Sequence, residues 1–140
     1  MPHELRHGTY LISDDPARLD ADAVHAYLTR SYWAEGIPRE VVARSLENSL
    51  CLGIYAADGS QVGLLRVISD CTTFAYLCDV YVLEAHRGRG LSKAAMRAFE
   101  SHPRLQNLRR QHLVAAVGLE QPGDPRAPAA ITDHPDLDLA

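Results

Sequence analysis

The stretch DVYVLEAHRGRGLSKAAMRAF, residues 79–99, predicts a strand, a glycine turn and a helix in direct succession. Residues 72–83 are almost all apolar and rich in aromatic and β-branched side chains, which is typical of a central strand covered on both faces. Apolar side chains then recur at the spacing of one helix face, at Leu91, Ala95, Ala98 and Phe99. The turn between the two elements contains Gly88 and Gly90, so its backbone can adopt conformations that other residues avoid.

This turn predicts an anion site. The first amides of a helix have no partner within the helix, and they carry the positive end of the helix dipole. Gly88 and Gly90 let the backbone bend sharply and let an anion approach closely, while Arg87 and Arg89 can add positive charge. The motif is neither GxxxxGK[ST] nor GxGxxG, since residue 93 is lysine. The alternative is a solvated turn that only connects a strand to a helix.

The remaining sequence predicts elements on both sides of this unit. We expect strands at 8–13 and 111–117, helices at 20–33 and 38–49, and a tight hairpin around Asp58-Gly59. The first helix should bury one side, formed by Val24, Tyr27, Leu28 and Ser31. The order is therefore strand, two helices, hairpin, long strand, glycine turn, helix and strand, within one domain over residues 1–117.

The stretch quoted above resembles motif A of the GCN5-related N-acetyltransferases, or GNAT family, in which a strand precedes Q/R-x-x-G-x-G/A and a helix. Here the motif runs from Arg87 to Ser92, and Ser92 stands where the family has glycine or alanine. SYWAEGIPRE and NSLCLGIY, together with residues 74–93, are similar to one bacterial branch of the family. The resemblance covers about residues 8–117. It implies an α/β fold with a mixed, mostly antiparallel sheet flanked by helices and a shortened C-terminal part.

The resemblance also implies an activity, the direct transfer of an acetyl group from acetyl-CoA to an amine of a small molecule or peptide. The backbone of Val80 and Val82 would bind the pantetheine and the acetyl carbonyl. The cosubstrate pyrophosphate would be held by the loop that consists of Arg87, Gly88, Arg89, Gly90, Leu91 and Ser92. Such catalysis rests on proximity and on polarisation of the thioester carbonyl, and it needs a neutral amine.

Asp79 is the candidate catalytic residue. It is the only charged residue in the run 72–83, and a buried carboxylate is costly unless it is paired or functional. Strand alternation predicts that Asp79 shares a face with Leu77 and Tyr81. The resemblance implies that a carboxylate here acts as the general base. The alternative is a structural aspartate, bonded to neighbouring backbone or to an arginine.

Tyr32 and Trp33 are the candidate acceptor-binding residues. They follow the first predicted helix, in a region that often lines the acceptor site in the GNAT family. The alternative is that both rings simply pack on the core. The seven histidines show no metal-type spacing with cysteines or carboxylates, so we expect no metal.

Charge and cysteine content limit the functional classes. Residues 118–140 hold five acidic residues and one arginine, and they form a proline-rich segment that we expect to be a loosely ordered tail. Residues 1–117 hold 13 basic and 13 acidic residues, and this neutrality argues against nucleic-acid binding. The three cysteines lie in apolar runs, which predicts buried free thiols in a reducing, cytoplasmic compartment. No stretch is long and apolar enough to predict a membrane partner.

The C-terminal sequence departs from the family pattern. In GNAT proteins, the strand that corresponds to 111–117 is followed by a helix with a tyrosine that protonates the CoA thiolate, and then by two strands. Residues 118–140 contain no tyrosine. Three hypotheses follow: an active enzyme with another acid, a CoA-binding remnant with impaired activity, or a regulatory module. In the last case, an exposed final strand could pair with a partner, including a second copy in a homodimer.

Overall fold

A computed structural model of the chain describes residues 1–108, together with the backbone of residues 113–114 and 117–118. Five strands form an antiparallel sheet in chain order: β1 (Glu4–His7), β2 (Tyr10–Ser13), β3 (Leu50–Tyr55), β4 (Gln61–Ser69) and β5 (Ala75–Val82). On the other edge of β5, β6 (Leu113–Val114) and β7 (Val117–Gly118) pair with it in parallel. The predicted mixed, mostly antiparallel sheet is confirmed.

In the described part of the chain, three α-helices cover the sheet: α1 (Ala21–Leu28), α2 (Arg39–Glu47) and α3 (Leu91–Glu100). The core on the α3 side buries the four apolar residues that the sequence places on one face of this helix. The core on the other side joins α1 and α2 to side chains of β3, β4 and β5. As expected, β5 is buried along almost its whole length, because it has a strand on each edge and helices on each face.

Two predicted elements at the N-terminal end are corrected by the structure. The expected strand at 8–13 is the second half of a hairpin, and β1 was not predicted because Glu4–His7 contains a single strongly apolar residue. The first helix ends at Leu28 rather than Trp33. The Ser31 hydroxyl donates to the Leu28 carbonyl and accepts from the Ala34 amide. These two backbone groups are therefore bonded by a side chain instead of by the backbone of a continuing helix.

A β-bulge in β5 corrects the predicted strand alternation. Arg66 of β4 faces Asp79, whereas the next residue, Val67, faces Leu77, so Cys78 is an extra residue in β5. Leu77 therefore joins the core on the α3 side, while Tyr81 joins the core on the α1 and α2 side. Asp79 shares the face of Tyr81, as predicted, but not the face of Leu77.

The three cysteines are free thiols. Cys51 and Cys78 are buried, and burial raises the pKa of both. Cys71 is only half-buried, in the turn before β5. Among the described residues, no three histidine, cysteine or carboxylate side chains lie close enough together to bind a metal ion. None of the described helices has the length and apolar character to cross a membrane.

Candidate functional site

The turn between β5 and α3 has the backbone geometry that its sequence predicts. Gly88 and Gly90 have φ angles of +77° and +75°, in the left-handed region where glycine is favoured. A Cβ on Gly88 would meet no atom within 4 Å, so the backbone conformation, and not crowding, requires this glycine. Gly90 is the N-terminal cap of α3 and provides no side chain to bond the first helical amides.

The amides of this turn form a group of free donors. In the part of the chain that the structure describes, the N–H groups from Gly88 to Ser92 have no acceptor. Gly88 and Gly90 are exposed, and the helix dipole adds partial positive charge at this position. The turn therefore has free donors, access and positive potential together, which an anion such as pyrophosphate requires. We refer to residues 88–92 as the phosphate loop.

Arg87 differs from its predicted place in this loop. Its amide donates to the Glu84 carbonyl at 3.2 Å, so it is not among the free donors. Its side chain folds back, and Nε donates to the Val82 carbonyl at 2.9 Å. The positive charge of the guanidinium also acts on Tyr27, where it opposes the rise in pKa that burial causes. The structure thus gives Arg87 a role at the end of β5, whereas the side chains of Arg89 and Lys93 are exposed beside the loop.

The edge of β5 that faces away from β4 is the predicted site for pantetheine. The Leu83 amide donates to the Val62 carbonyl, so alternation points the backbone groups of Val80 and Val82 toward the opposite edge. Val80 lies beside Val117 of β7 in the parallel ladder. The pairing of Tyr81 with Gly118 extends this ladder to the Val82 amide, and Arg87 bonds the Val82 carbonyl. Among the described residues, this edge of β5 is therefore paired with β7 at Val80 and already bonded at Val82.

Asp79 lies in a network of hydrogen bonds under the α1–α2 connection. It is 5% exposed, and its Oδ2 accepts from Arg66 Nε at 2.6 Å. Its Oδ1 accepts from Trp33 Nε1 at 2.7 Å. A second nitrogen of Arg66 donates to the Ser49 hydroxyl at 3.1 Å. The bond to Arg66 is the contact that a structural aspartate requires, and the role of Asp79 as a base stays a prediction.

Tyr32 and Trp33 stand next to each other, with ring centres 5.2 Å apart and edge to face. Tyr32 is 59% exposed, whereas Trp33 is half-buried and packs on the α1 and α2 side of the core. Trp33 also lies 6.1 Å from Tyr27, which stacks on Tyr81 at 3.9 Å. The structure thus connects the two predicted acceptor residues to Asp79 through the indole N–H, and it leaves the Tyr32 ring available to a ligand.

Sequence reasoning missed Arg66, Ser49 and Tyr27 as members of this site. Arg66 is the only charged residue in β4 and faces Asp79 across the sheet, a pairing that depends on the register. Burial raises the pKa of Tyr27, and the nearby guanidinium of Arg87 opposes this shift. The Tyr27 hydroxyl is therefore protonated at neutral pH and can donate a hydrogen bond.

Known proteins resemble this chain in sequence and in structure. The sequence profile of the acetyltransferase (GNAT) family matches residues 14–122. The protein FG08082 of Gibberella zeae, whose name is that of an acetyltransferase, is 37% identical over 108 residues, with 64% of this chain and 61% of that protein covered. This chain thus spans less than two thirds of the length of that relative.

Two crystal structures illustrate the structural similarity. A protein of the same family from Xanthomonas campestris pv. campestris shares 47% identity with a TM-score of 0.72, covering 76% of this chain and 75% of that one. An acetyltransferase-like protein from Deinococcus radiodurans R1 shares 19% identity with a TM-score of 0.54, covering 83% of this chain and 76% of that one. The second similarity supports the fold alone.

Proposed function

Because the family profile matches most of its length, the chain belongs to the GNAT acetyltransferase family, and from this premise we propose that it transfers an acetyl group from acetyl-CoA directly to an amine. The observation that carries the proposal is the phosphate loop. Two glycines in the left-handed region and a run of free amides fit the pyrophosphate of CoA. The cosubstrate pantetheine would then extend along the edge of β5 at Val80 and Val82, where their pairing with β7 opens.

The transfer that we propose has one covalent step. The nitrogen lone pair of a neutral amine attacks the thioester carbonyl, a C–N bond forms, the C–S bond breaks, and CoA leaves as a thiolate. The nitrogen proton passes to a base, and a proton from solvent neutralises the thiolate. The protein contributes by holding the two reactants in contact and by excluding other orientations, which alone lowers the barrier substantially.

Asp79 is our candidate for the base, and Tyr32 with Trp33 is the candidate acceptor surface. The carboxylate accepts from the Trp33 indole, so a change at the acceptor surface reaches Asp79 through one hydrogen bond. Each carboxylate oxygen has two lone pairs, so the bonds to Arg66 and Trp33 leave capacity for a further donor. The amine acceptor, a cytoplasmic location and a homodimer stay predictions.

Binding of the cosubstrate is the first test, made by calorimetry with CoA and acetyl-CoA. We expect binding by the native chain, and no heat at millimolar ligand would reject the site. Gly88→Ala should weaken the affinity by about tenfold or more, because alanine disfavours the left-handed backbone that aims the loop amides. Gly59→Ala is the matched control, since Gly59 has a φ of +88° and open space in the turn between β3 and β4, outside the loop. Equal losses of affinity in both variants would contradict the assignment of the loop.

The release of CoA thiol in the presence of amines is the second test. A screen of small amines and peptide N-termini should identify an acceptor whose concentration determines the rate. The alternative function is a CoA-binding module without transferase activity. This alternative rests on residues 118–140, which contain no tyrosine, whereas the family resemblance implies a tyrosine that acts as an acid in this part of the fold. Tight CoA binding with no amine-dependent thiol release would support the module.

A further inference from the structure

The hairpin of β1 and β2 contacts the phosphate loop at Arg89 and the turn before the loop at His86. Nε2 of His7 lies 2.7 Å from the carbonyl oxygen of Arg89. The Tyr10 hydroxyl lies 2.8 Å from Nδ1 of His86, in the turn just before the loop. His7 and Tyr10 flank the tight turn of the hairpin and form its terminal pair. One side chain thus contacts the loop and another contacts the turn before it, both from the side of the N-terminal strands.

The contact at Arg89 has a defined direction. A carbonyl oxygen only accepts hydrogen bonds, so His7 must carry its proton on Nε2 and donate. The peptide between Arg89 and Gly90 is trans, and in a trans peptide the C=O and N–H point in opposite directions. With its carbonyl held by His7, this peptide directs the Gly90 N–H away from the hairpin. Donation to the carbonyl also polarises the same peptide and strengthens its N–H as a donor.

The loop needs such a restraint because its two glycines restrict its backbone conformation very little. Glycine has wide backbone freedom, and a flexible loop loses entropy when it binds an anion. A Cβ on Gly90 would have Nε2 of His7, at 3.4 Å, as its nearest neighbour. The imidazole therefore lies against Gly90 as well as against the Arg89 carbonyl.

We propose that His7 is a positioning residue for the CoA pyrophosphate: it fixes the Arg89–Gly90 peptide and so aims the Gly90 amide at the ligand. This role rests on the proposed function. His7 acts through the backbone and touches no reacting atom. It is therefore expected to change the affinity for phosphate-bearing ligands, while the chemical step at saturating acetyl-CoA stays unchanged.

The test compares His7→Ala, His7→Gln and native protein by calorimetry with CoA. We expect His7→Ala to weaken CoA binding by about fivefold to tenfold, the range for one hydrogen bond. His7→Gln should return the affinity to within about twofold, because the glutamine amide can donate to the same carbonyl. In ¹⁵N-labelled protein, CoA should shift the Gly90 amide resonance strongly in the native chain and less in His7→Ala.

His3→Ala is the matched control. His3 Nε2 lies 3.1 Å from the Ala98 carbonyl, so this variant removes the same type of bond at the far end of α3. It should lower the melting temperature without a change in CoA affinity. Unchanged affinity in His7→Ala, or an equal loss in His3→Ala, would overturn the role of His7. If the native chain itself binds no CoA, the proposed function fails first, and the two failures are distinguishable.

Discussion

At the scale of single residues, Asp79 combines two properties that usually occur apart. Its carboxylate is buried and paired with an arginine, as in a structural ion pair. It also lies on the face of β5 that holds the predicted acceptor rings, next to a bulge. Bulges occur often beside active sites because they redirect a side chain. The structural and the catalytic interpretation of Asp79 differ in the effect on the reaction that they predict when the charge is removed.

We predict that Asp79→Asn lowers the amine-dependent rate by about a hundredfold or more, because the amide cannot accept the proton. CoA affinity should stay unchanged, because the phosphate loop lies beyond the end of β5. Steady-state kinetics with CoA affinity from calorimetry will measure both quantities. Arg66→Gln serves as a control that breaks the same ion pair but keeps the carboxylate. An unchanged rate in Asp79→Asn would show that Asp79 is structural.

At the scale of elements, the sequence predicted those parts of the fold that local chemistry determines. The Asp58-Gly59 turn connects β3 to β4 as expected, with Gly59 at positive φ. α3 begins after Gly90 and ends just before His102-Pro103, because glycine caps one end and proline cannot continue the helix. The phosphate loop was predictable for the same reason, since its glycines and helix start are adjacent in the chain.

Other features depend on pairing between distant segments and were not predictable from local patterns. The bulge at Cys78 follows from the register of β4 against β5, and it moves Leu77 to the face opposite to Asp79. The contact from His7 to the loop joins residues 82 positions apart. The predicted acidic tail and the family's missing tyrosine fall on residues 118–140, where only the backbone of Gly118 lies within the described part.

The turn before β5 supports a prediction about pH. The pKa of Asp70 lies well below its ordinary value of 3.8, first because the Thr73 hydroxyl bonds the carboxylate, and then because the amides of Thr73 and Thr72 do. A lowered folded-state pKa stabilises the fold above pH 3.8, and this contribution is lost as the pH falls through the lower folded value. Asp70→Asn should therefore be less stable at pH 7, with a flatter stability curve below pH 4. Urea unfolding from pH 2 to 7 will measure this. Asp58→Asn is a second variant of the same kind, because Ser60 bonds lower the pKa of Asp58, and it should change the curve in the same direction. Parallel curves for native protein and Asp70→Asn would contradict the assignment.

At the scale of the whole molecule, the proposed site and a buried structural contact lie at opposite ends of α3. The carboxyl end of β5 and the start of α3 carry the phosphate loop. The other end of α3, about 15 Å away along the helix axis, leads into buried His102. There His102 Nε2 donates to Asp14 Oδ2 at 2.7 Å, and its Nδ1 accepts from the Arg104 amide. This end therefore ties α3 to the connection after β2, and it contains no part of the proposed site.

We predict that His102→Ala lowers the free energy of unfolding by about 2–4 kcal/mol, because it leaves a cavity and removes two hydrogen bonds from a buried site. The CoA affinity of the folded protein should change by less than about twofold, since the loop lies at the other end of α3, where His7 contacts it and Tyr10 contacts the turn before it. Urea unfolding and calorimetry at low temperature will measure the two effects. His25→Ala, which removes a half-buried imidazole bonded to the Ile37 carbonyl, controls for loss of a histidine elsewhere. A loss of CoA affinity that parallels the loss of stability would show that the two ends of α3 are coupled.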